Sequence, residues 1–127
     1  MNKNLFGKVG SIGQDNLIAK LVPAAETFGI VIAKTEAETV IERGTVLARN
    51  SEGKYAVYDG KTEGTVPSAI LADSVTVGTS EDATAVAYRS GNFSRKHVVL
   101  PEGYKLTATD EDVLRKYDII FTDTLEA

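Results

Sequence analysis

Short apolar runs separated by glycine or polar turns dominate the chain from Phe28 onward. The runs are rich in β-branched and aromatic residues, which favour strands, and residues 55–58 alternate as a half-buried strand does. One run begins roughly every ten residues, a spacing typical of small all-β proteins. The predicted strands are residues 30–33, 38–41, 45–49, 55–58, 68–72, 74–77, 84–89 and 117–121. The pattern therefore predicts a mainly β core with tight connections.

One helix is predicted near the C-terminus, after Thr109. The Thr109 hydroxyl can cap the first turn, and residues 110–112 place carboxylates where the helix dipole favours anions. Arg115 and Lys116 lie in the expected last turn. The face to be buried consists of Val113, Leu114 and Tyr117. Residues 94–100 are expected to form a shorter helical turn that ends before a proline.

The N-terminal residues do not follow the strand pattern. Glycine recurs at every third position from Gly7 to Gly13, which raises the entropic cost of ordering, and the apolar residues there keep no strand or helix period. We therefore expect residues 1–24 to form a flexible arm and residues 25–127 a single β-rich domain. The alternative is a strand tucked onto the core, which the apolar residues 17–22 favour. The arm residues expected to contact a partner are Leu5, Phe6, Val9, Ile12, Leu17 and Ile18.

Charge and composition argue against several classes of function. The chain has 14 Lys and Arg against 18 Asp and Glu, a net charge of −4, so attraction to nucleic-acid phosphates is not expected. It has no cysteine and a single histidine, which excludes thiol nucleophiles and Cys-based metal sites. The longest dense apolar stretch, residues 28–33, is too short to span a bilayer, and no signal peptide is recognisable. We expect neither a nucleic-acid nor a membrane partner.

Residues 59–62, Asp-Gly-Lys-Thr, look like the end of a phosphate-binding loop. That motif needs a glycine five residues before Gly60, where this chain has Tyr55. The residues that follow are loop sequence, so no helix dipole would point at a phosphate. A hairpin turn is the better interpretation of this segment.

The remaining candidate chemistry is also weak. His97 lies near Ser90 and Ser94, but no nucleophile elbow or oxyanion-hole motif accompanies them. The carboxylates at residues 81–82 and 110–112 lack the alternating oxygens and central glycine of a calcium loop. We therefore expect a protein that is not an enzyme and that needs no cofactor and no metal.

Several short motifs follow one another in order between Gly44 and Phe121. They are Gly-Thr-Val-Leu-Ala at 44–48, Gly-Lys-Tyr at 53–55, Tyr-Asp-Gly at 58–60, Ala-Ile-Leu-Ala at 69–72, Tyr-Arg-Ser-Gly-Asn-Phe at 88–93 and Val-Val-Leu-Pro-Glu at 98–102. The most specific motif is the aromatic–basic–Ser–Gly–x–Phe run at 88–93. In this order and spacing, the set resembles the head decoration proteins of lambda-type phages.

The resemblance implies a β-clip-like small barrel or ribbon, mainly β with a minor α component, that assembles as a homotrimer. It implies binding to the major capsid protein at local three-fold positions on the outer surface of an expanded phage head. The arm would be disordered when free and would order against the shell. The protein would be made in the host cytoplasm, located in the virion and without catalytic activity.

The leading hypothesis is therefore a capsid decoration protein, bound through its N-terminal arm, that stabilises the expanded head. One alternative is another virion structural module, such as a head-fibre base or a tail-associated protein. A further alternative is a small β-clip ligand-binding domain or enzyme, which predicts a concave pocket with converging polar groups near His97 or Lys61.

Overall fold

The computed structural model describes residues 16–123, which form nine β-strands and one α-helix. The elements are β1 (Ile18–Lys20), β2 (Glu26–Ile32), β3 (Thr39–Ile41), β4 (Val46–Arg49), β5 (Tyr55–Val57), β6 (Val66–Leu71), β7 (Val75–Val77), β8 (Ala83–Ser94), α1 (Ala108–Arg115) and β9 (Ile119–Thr122). Each of the eight strands predicted from the sequence has a counterpart among them.

Five strands close into a small barrel in the order β8–β2–β5–β4–β6, with β6 returning to β8. β2 and β5 run parallel, whereas the other barrel pairs are antiparallel. The long β2–β8 ladder extends from Glu26 opposite Ser90 to Ile32 opposite Ala83. Closure pairs both edges of every barrel strand, which removes the exposed edges of an open sheet. The predicted mainly β fold with a small barrel and one short helix is confirmed.

β8 joins the barrel to a second layer of strands. Its first part pairs with β2 and β6, and its last four residues pair with β1 on one side and β9 on the other. Gly91 lies at the change of partners with a φ of +149°, and a Cβ there would come within 2.7 Å of the Phe93 ring. Only glycine fits this position without a rearrangement of the ring.

The apolar run in β6 separates two hydrophobic clusters. Ala69 and Leu71 face the cluster formed by the five barrel strands, and Ile70 faces the cluster that includes the helix residue Leu114. A strand that is buried on both faces needs apolar residues at consecutive positions, which explains why residues 69–72 do not alternate with polar ones. β6 is thus the shared wall of both cores.

The two-stranded ribbon of β3 and β7 packs on the barrel. Ile41 and Val77 turn inward and join the barrel cluster, at 3% and 0% exposure. Val40, between Thr39 and Ile41 on β3, points the other way and is 63% exposed. The ribbon therefore has one face in the core and one face available to solvent.

The helix begins two residues earlier than the sequence suggests. Thr107, not Thr109, is the N-cap: its hydroxyl accepts a 3.0 Å hydrogen bond from the backbone N–H of Asp110, and the Asp110 carboxylate accepts one from the N–H of Thr107. This reciprocal capping box satisfies two backbone donors at the helix start. The short helical turn predicted over 94–100 is also wrong, because Ser94 ends β8 and residues 95–97 form a simple turn.

The folded part of the chain begins before the predicted boundary at residue 24. β1 pairs with β8, with Ile18 opposite Phe93 and Lys20 opposite Asn92. Leu17 belongs to the second cluster and is 2% exposed. The alternative interpretation, a strand tucked onto the core, is therefore correct for residues 18–20.

Candidate interaction surface

The segment just after β1 exposes two neighbouring apolar side chains. Leu21 and Val22 are 79% and 78% exposed, more than any other large apolar side chain in the described part of the chain. Burying a side chain of this size releases about 1.5–3 kcal/mol. We refer to residues 20–24, which include both side chains, as the N-terminal ridge.

The ridge is fixed to the barrel by side chains of β8. Asn92 Nδ2 donates a 3.2 Å hydrogen bond to the Val22 carbonyl, and the Ser90 hydroxyl donates a 2.8 Å bond to the Ala24 carbonyl. Asn92 is itself buried, and its Oδ1 accepts a 2.6 Å bond from Thr122 on β9. A surface that is already ordered loses less entropy when it binds, so this anchoring favours association through the ridge.

Two of the six predicted contact residues lie elsewhere than expected. Leu17 is in the core, where its carbonyl accepts a 2.7 Å hydrogen bond from the Ser94 backbone N–H, and a buried side chain cannot at the same time lie against another protein. Ile18 is half-buried in β1 and packs against the same core. The other four, Leu5, Phe6, Val9 and Ile12, lie outside the described residues.

The sequence interpretation did not single out Leu21 and Val22, the two most exposed large apolar side chains of the described residues. They belong to the same apolar stretch, residues 17–22, that favoured a core strand. A strand of only three residues ends before Leu21, so the stretch divides into an anchored part and an exposed part. Two consecutive apolar residues next to a proline, directly after a short strand, would have been the signal.

The Asp-Gly-Lys-Thr segment is a turn closed by its own carboxylate. Asp59 Oδ1 accepts hydrogen bonds from the backbone N–H groups of Lys61 and Thr62, at 2.9 and 3.0 Å. These two bonds and one from the Thr62 hydroxyl hold the pKa of Asp59 below its ordinary value. The amides that a phosphate would need are thus already occupied. The segment is a turn, as expected, but not a hairpin turn, because β5 and β6, which it connects, pair with other strands and not with each other.

Ser94 and His97 do form a pair, with 2.7 Å between Ser94 Oγ and His97 Nδ1. The pair closes the turn after β8, where the His97 backbone N–H also donates to the Ser94 carbonyl at 3.0 Å. Ser94 is 0% exposed, so a substrate cannot reach its hydroxyl in this conformation. The geometry fits a hydrogen bond that closes a turn better than a nucleophile and its base.

A buried carboxylate joins three parts of the chain near the helix start. Asp110 is 6% exposed and accepts hydrogen bonds from the hydroxyls of Tyr58, at 2.6 Å, and of Tyr104. Burial favours the neutral carboxyl, but the bonds from Thr107, Tyr104 and Tyr58 together outweigh it and lower the pKa of Asp110. Burial and the bond to Asp110 raise the pKa of Tyr58. We call this group the tyrosine–aspartate clasp, and its role is to position the helix.

A cavity of about 370 Å³ lies beside the turn at residues 95–97. Its charged wall includes Arg95, which binds both oxygens of Glu111 at 2.9 and 3.0 Å and Asp123 at 2.5 Å. The bonds to Glu111 and Asp123 raise the pKa of Arg95. Arg95, Glu111 and Asp123 therefore satisfy one another as an ion-pair network, while Lys96 and Lys105 also line the cavity.

The acidic residues at 81–82 have a structural role as well. Asp82 forms an ion pair with Lys54 Nζ at 2.9 Å and accepts a 2.9 Å hydrogen bond from the Lys34 backbone N–H. Within residues 16–123, no group of three or more His, Asp and Glu side chains is placed to hold a metal ion. The helix in that part of the chain is neither long nor apolar enough to cross a membrane.

The chain matches the sequence model of a known protein family. The sequence model of a family described as "Bacteriophage lambda head decoration protein D" matches residues 21–119, which is most of the chain. The match begins at the N-terminal ridge and includes β2 and β3, so it reaches further toward the N-terminus than the motifs between Gly44 and Phe121. No individual curated protein shows significant similarity to the chain.

Proposed function

We propose that this chain, which belongs to the bacteriophage lambda head decoration protein D family, binds the outer surface of an expanded phage head at its local three-fold sites and stabilises it. The family match over residues 21–119 is the observation on which the proposal rests, and it supports a capsid decoration role for the chain. The proposed partner is the major capsid protein, and the proposed location is the virion.

The N-terminal ridge is the proposed point of attachment within the described part of the chain. Leu21 and Val22 are exposed, adjacent and anchored by Ser90 and Asn92, so they offer apolar area at a small ordering cost. The ridge lies C-terminal to Leu5, Phe6, Val9 and Ile12, with Leu17 and β1 between them. In the proposal these four side chains extend the contact along the shell.

Assembly as a homotrimer would strengthen attachment without any stronger single contact. Three ridges held in one particle bind at a high effective concentration, so contacts that are weak individually combine into tight binding. A protein that binds the expanded shell and not its dissociated subunits stabilises the shell by mass action. Stabilisation by binding alone requires no catalytic group, and we propose that the protein is not an enzyme.

The test is a binding assay with expanded empty heads of the phage that encodes the chain. Full-length protein should co-sediment with the heads, and electron cryomicroscopy should show added density at every local three-fold site. The double variant Leu21→Ser/Val22→Ser should lose most of this binding, and so should Leu5→Ser/Phe6→Ser. Val66→Ser, which changes an apolar side chain on β6 that is 41% exposed, is the matched control and should bind as the unaltered protein does.

The results of these experiments test the capsid decoration role and the proposed attachment surface separately. Density confined to a fibre base or to the tail would contradict the decoration role and support another virion module. Normal decoration by both double variants would leave the role intact and show that attachment uses another face.

A further inference from the structure

Gly29 occupies the middle of β2, although nothing among residues 16–123 requires a glycine there. Its backbone is outside the left-handed region, and a Cβ at this position would meet no atom within 4 Å. The ladder with β8 is regular at this point, with Gly29 opposite Val86. Glycine in a strand interior weakens the strand, and apart from bulges and bends it marks places where another molecule approaches closely.

The missing side chain opens a groove on the outer face of the barrel. The groove has a volume of about 490 Å³, and Phe28, Gly29 and Tyr55 are among the residues that line it. Val31 borders it on β2 and is 38% exposed, and Val86, across the ladder from Gly29, is 41% exposed. A partner's apolar side chain placed over Gly29 would therefore meet open space bordered by exposed apolar side chains.

One cation borders this groove without a partner. Arg49, at the end of β4, lines the groove and is exposed, and its guanidinium makes no hydrogen bond or ion pair with any residue from 16 to 123. Lys54, which lies nearby in sequence, is already paired with Asp82 at 2.9 Å. An occupant with a carboxylate beside an apolar side chain would match the groove in both shape and charge.

The chain itself presents such a segment on strand β3. Val40 is 63% exposed, and Glu38 and Glu42 flank it, both exposed and without an ion pair among the described residues. β3 lies on the ribbon with β7, and none of the residues that line the groove belongs to it. Val40 with its two flanking glutamates and the groove that Arg49 borders are thus separate surfaces of one molecule, and they carry opposite charges.

We propose that the Gly29 groove receives strand β3 of a second copy of the chain, with Val40 over Gly29 and Glu42 or Glu38 paired with Arg49. The inference rests on the homotrimer that is part of the proposed function, and it names the surfaces through which the copies meet. Because the two faces differ, the contact is heterologous and passes from one copy to the next. Repeating such a contact gives a closed ring when the rotation that relates each copy to the next divides a full turn into equal steps.

The first experiment fills the groove. Gly29→Val adds a β-branched side chain where the backbone is extended and open, so its unfolding midpoint should equal or exceed that of the unaltered protein. Its molar mass by light scattering, measured over a dilution series, should shift toward the monomer with an association constant lowered by about tenfold or more. Gly78→Ala is the matched control, since Gly78 is also open and outside the left-handed region, and it should leave the mass unchanged.

The second experiment exchanges charges across the proposed contact. Arg49→Glu alone and a Glu38→Lys/Glu42→Lys double variant alone should each weaken self-association, whereas an equimolar mixture of the two should form mixed assemblies. In a mixed trimer two of the three contacts carry opposite charges, one between the two altered faces and one between the two unaltered faces, whereas a trimer of either variant alone has like charges at all three. Val40→Asp should weaken association without a change in the unfolding midpoint, because Val40 is mostly exposed.

Two results would overturn the inference. One is an unchanged mass for Gly29→Val and Val40→Asp at every concentration at which the unaltered protein associates. The other is a normal mass for Gly29→Val together with lost binding to heads, which would assign the groove to the shell. Head binding is measured separately, so a chain that decorates heads as a monomer would refute the contact between copies and leave the decoration role standing.

Discussion

Tyr58, just after β5, donates a 2.6 Å hydrogen bond to Asp110 in the first turn of the helix. Tyr104 donates to the other oxygen of the same carboxylate, and the Thr107 backbone N–H shares that oxygen at 3.0 Å. The Asp110 carboxylate therefore joins the barrel, the loop before the helix and the helix cap. Its charge state controls all three connections.

Acid should weaken the fold through Asp110. The folded state holds the pKa of this carboxyl below 3.8, so its contribution to stability is complete above pH 3.8 and disappears as the pH falls through the lowered value. Asp110→Asn should lower the free energy of unfolding at pH 7 by about 1–3 kcal/mol, because an amide cannot accept all the bonds of the carboxylate. It should also reduce the loss of stability between pH 7 and about pH 2.

Urea unfolding followed by circular dichroism at several pH values measures both effects. Asp112→Asn is the control on the same helix, where the carboxylate is exposed and contacts Arg115 only at the surface. Equal pH profiles for the Asp110 variant and the unaltered protein would contradict the assignment.

High pH should lower the stability of the fold through ionisation of Tyr58. Burial and the bond to Asp110 raise the pKa of this phenol above 10, so its contribution is complete below pH 10 and is lost as the pH rises further. Tyr58→Phe should make stability less dependent on pH above 10, at the cost of a lower stability at pH 7. Thermal unfolding between pH 8 and about pH 12 tests this, and a variant with an unchanged alkaline profile would exclude Tyr58 as the source.

Gly60 should tolerate a side chain far less well than Gly64. Both have positive φ angles, +73° and +78°, so alanine strains the backbone at either position. Only at Gly60 would the new Cβ collide with a ring, that of Tyr104, at 2.5 Å. Gly64→Ala should cost about 1 kcal/mol and Gly60→Ala about 2–4 kcal/mol, since the second also displaces the clasp. Denaturant titration compares them, and equal losses would show that the ring moves aside freely.

The same substitution to alanine should change the free energy of unfolding greatly at Leu17 and very little at Leu21. Leu17→Ala creates a cavity in the second cluster and should lower the free energy of unfolding by about 2–5 kcal/mol. Leu21→Ala removes an exposed side chain and should change it by less than about 0.5 kcal/mol. Chemical unfolding of both variants decides the matter, and a large loss for Leu21→Ala would mean that the ridge belongs to the core.

Local patterns in the sequence were sufficient to predict much of the fold. The Asn50 turn illustrates this: Asn50 Oδ1 accepts hydrogen bonds from the N–H groups of Glu52 and Lys54, and Gly53 follows with positive φ. Such a turn is built from neighbours in sequence, so turn residues and β-branched runs were enough to predict most strands, a mainly β core and the presence of one helix. The small barrel was expected from the family resemblance. The family resemblance likewise depended on short motifs that can be read directly.

The helix start and the N-terminal strand depended on contacts between distant residues. Thr107 and Thr109 can both cap a helix, and Thr107 does so because the carboxylate three residues later, Asp110, is held by Tyr58 and Tyr104. Ile18 pairs with Phe93, far along the chain, so the three residues of β1 contain too little local signal to be assigned with certainty. In the same way, the exposure of Leu21 and the open groove at Gly29 exist only once β8 is in place. The sequence by itself determined which segments form strands, because alternation and turns act between neighbours, whereas only the tertiary structure decided which apolar residues remain at the surface, because burial depends on which segments come together.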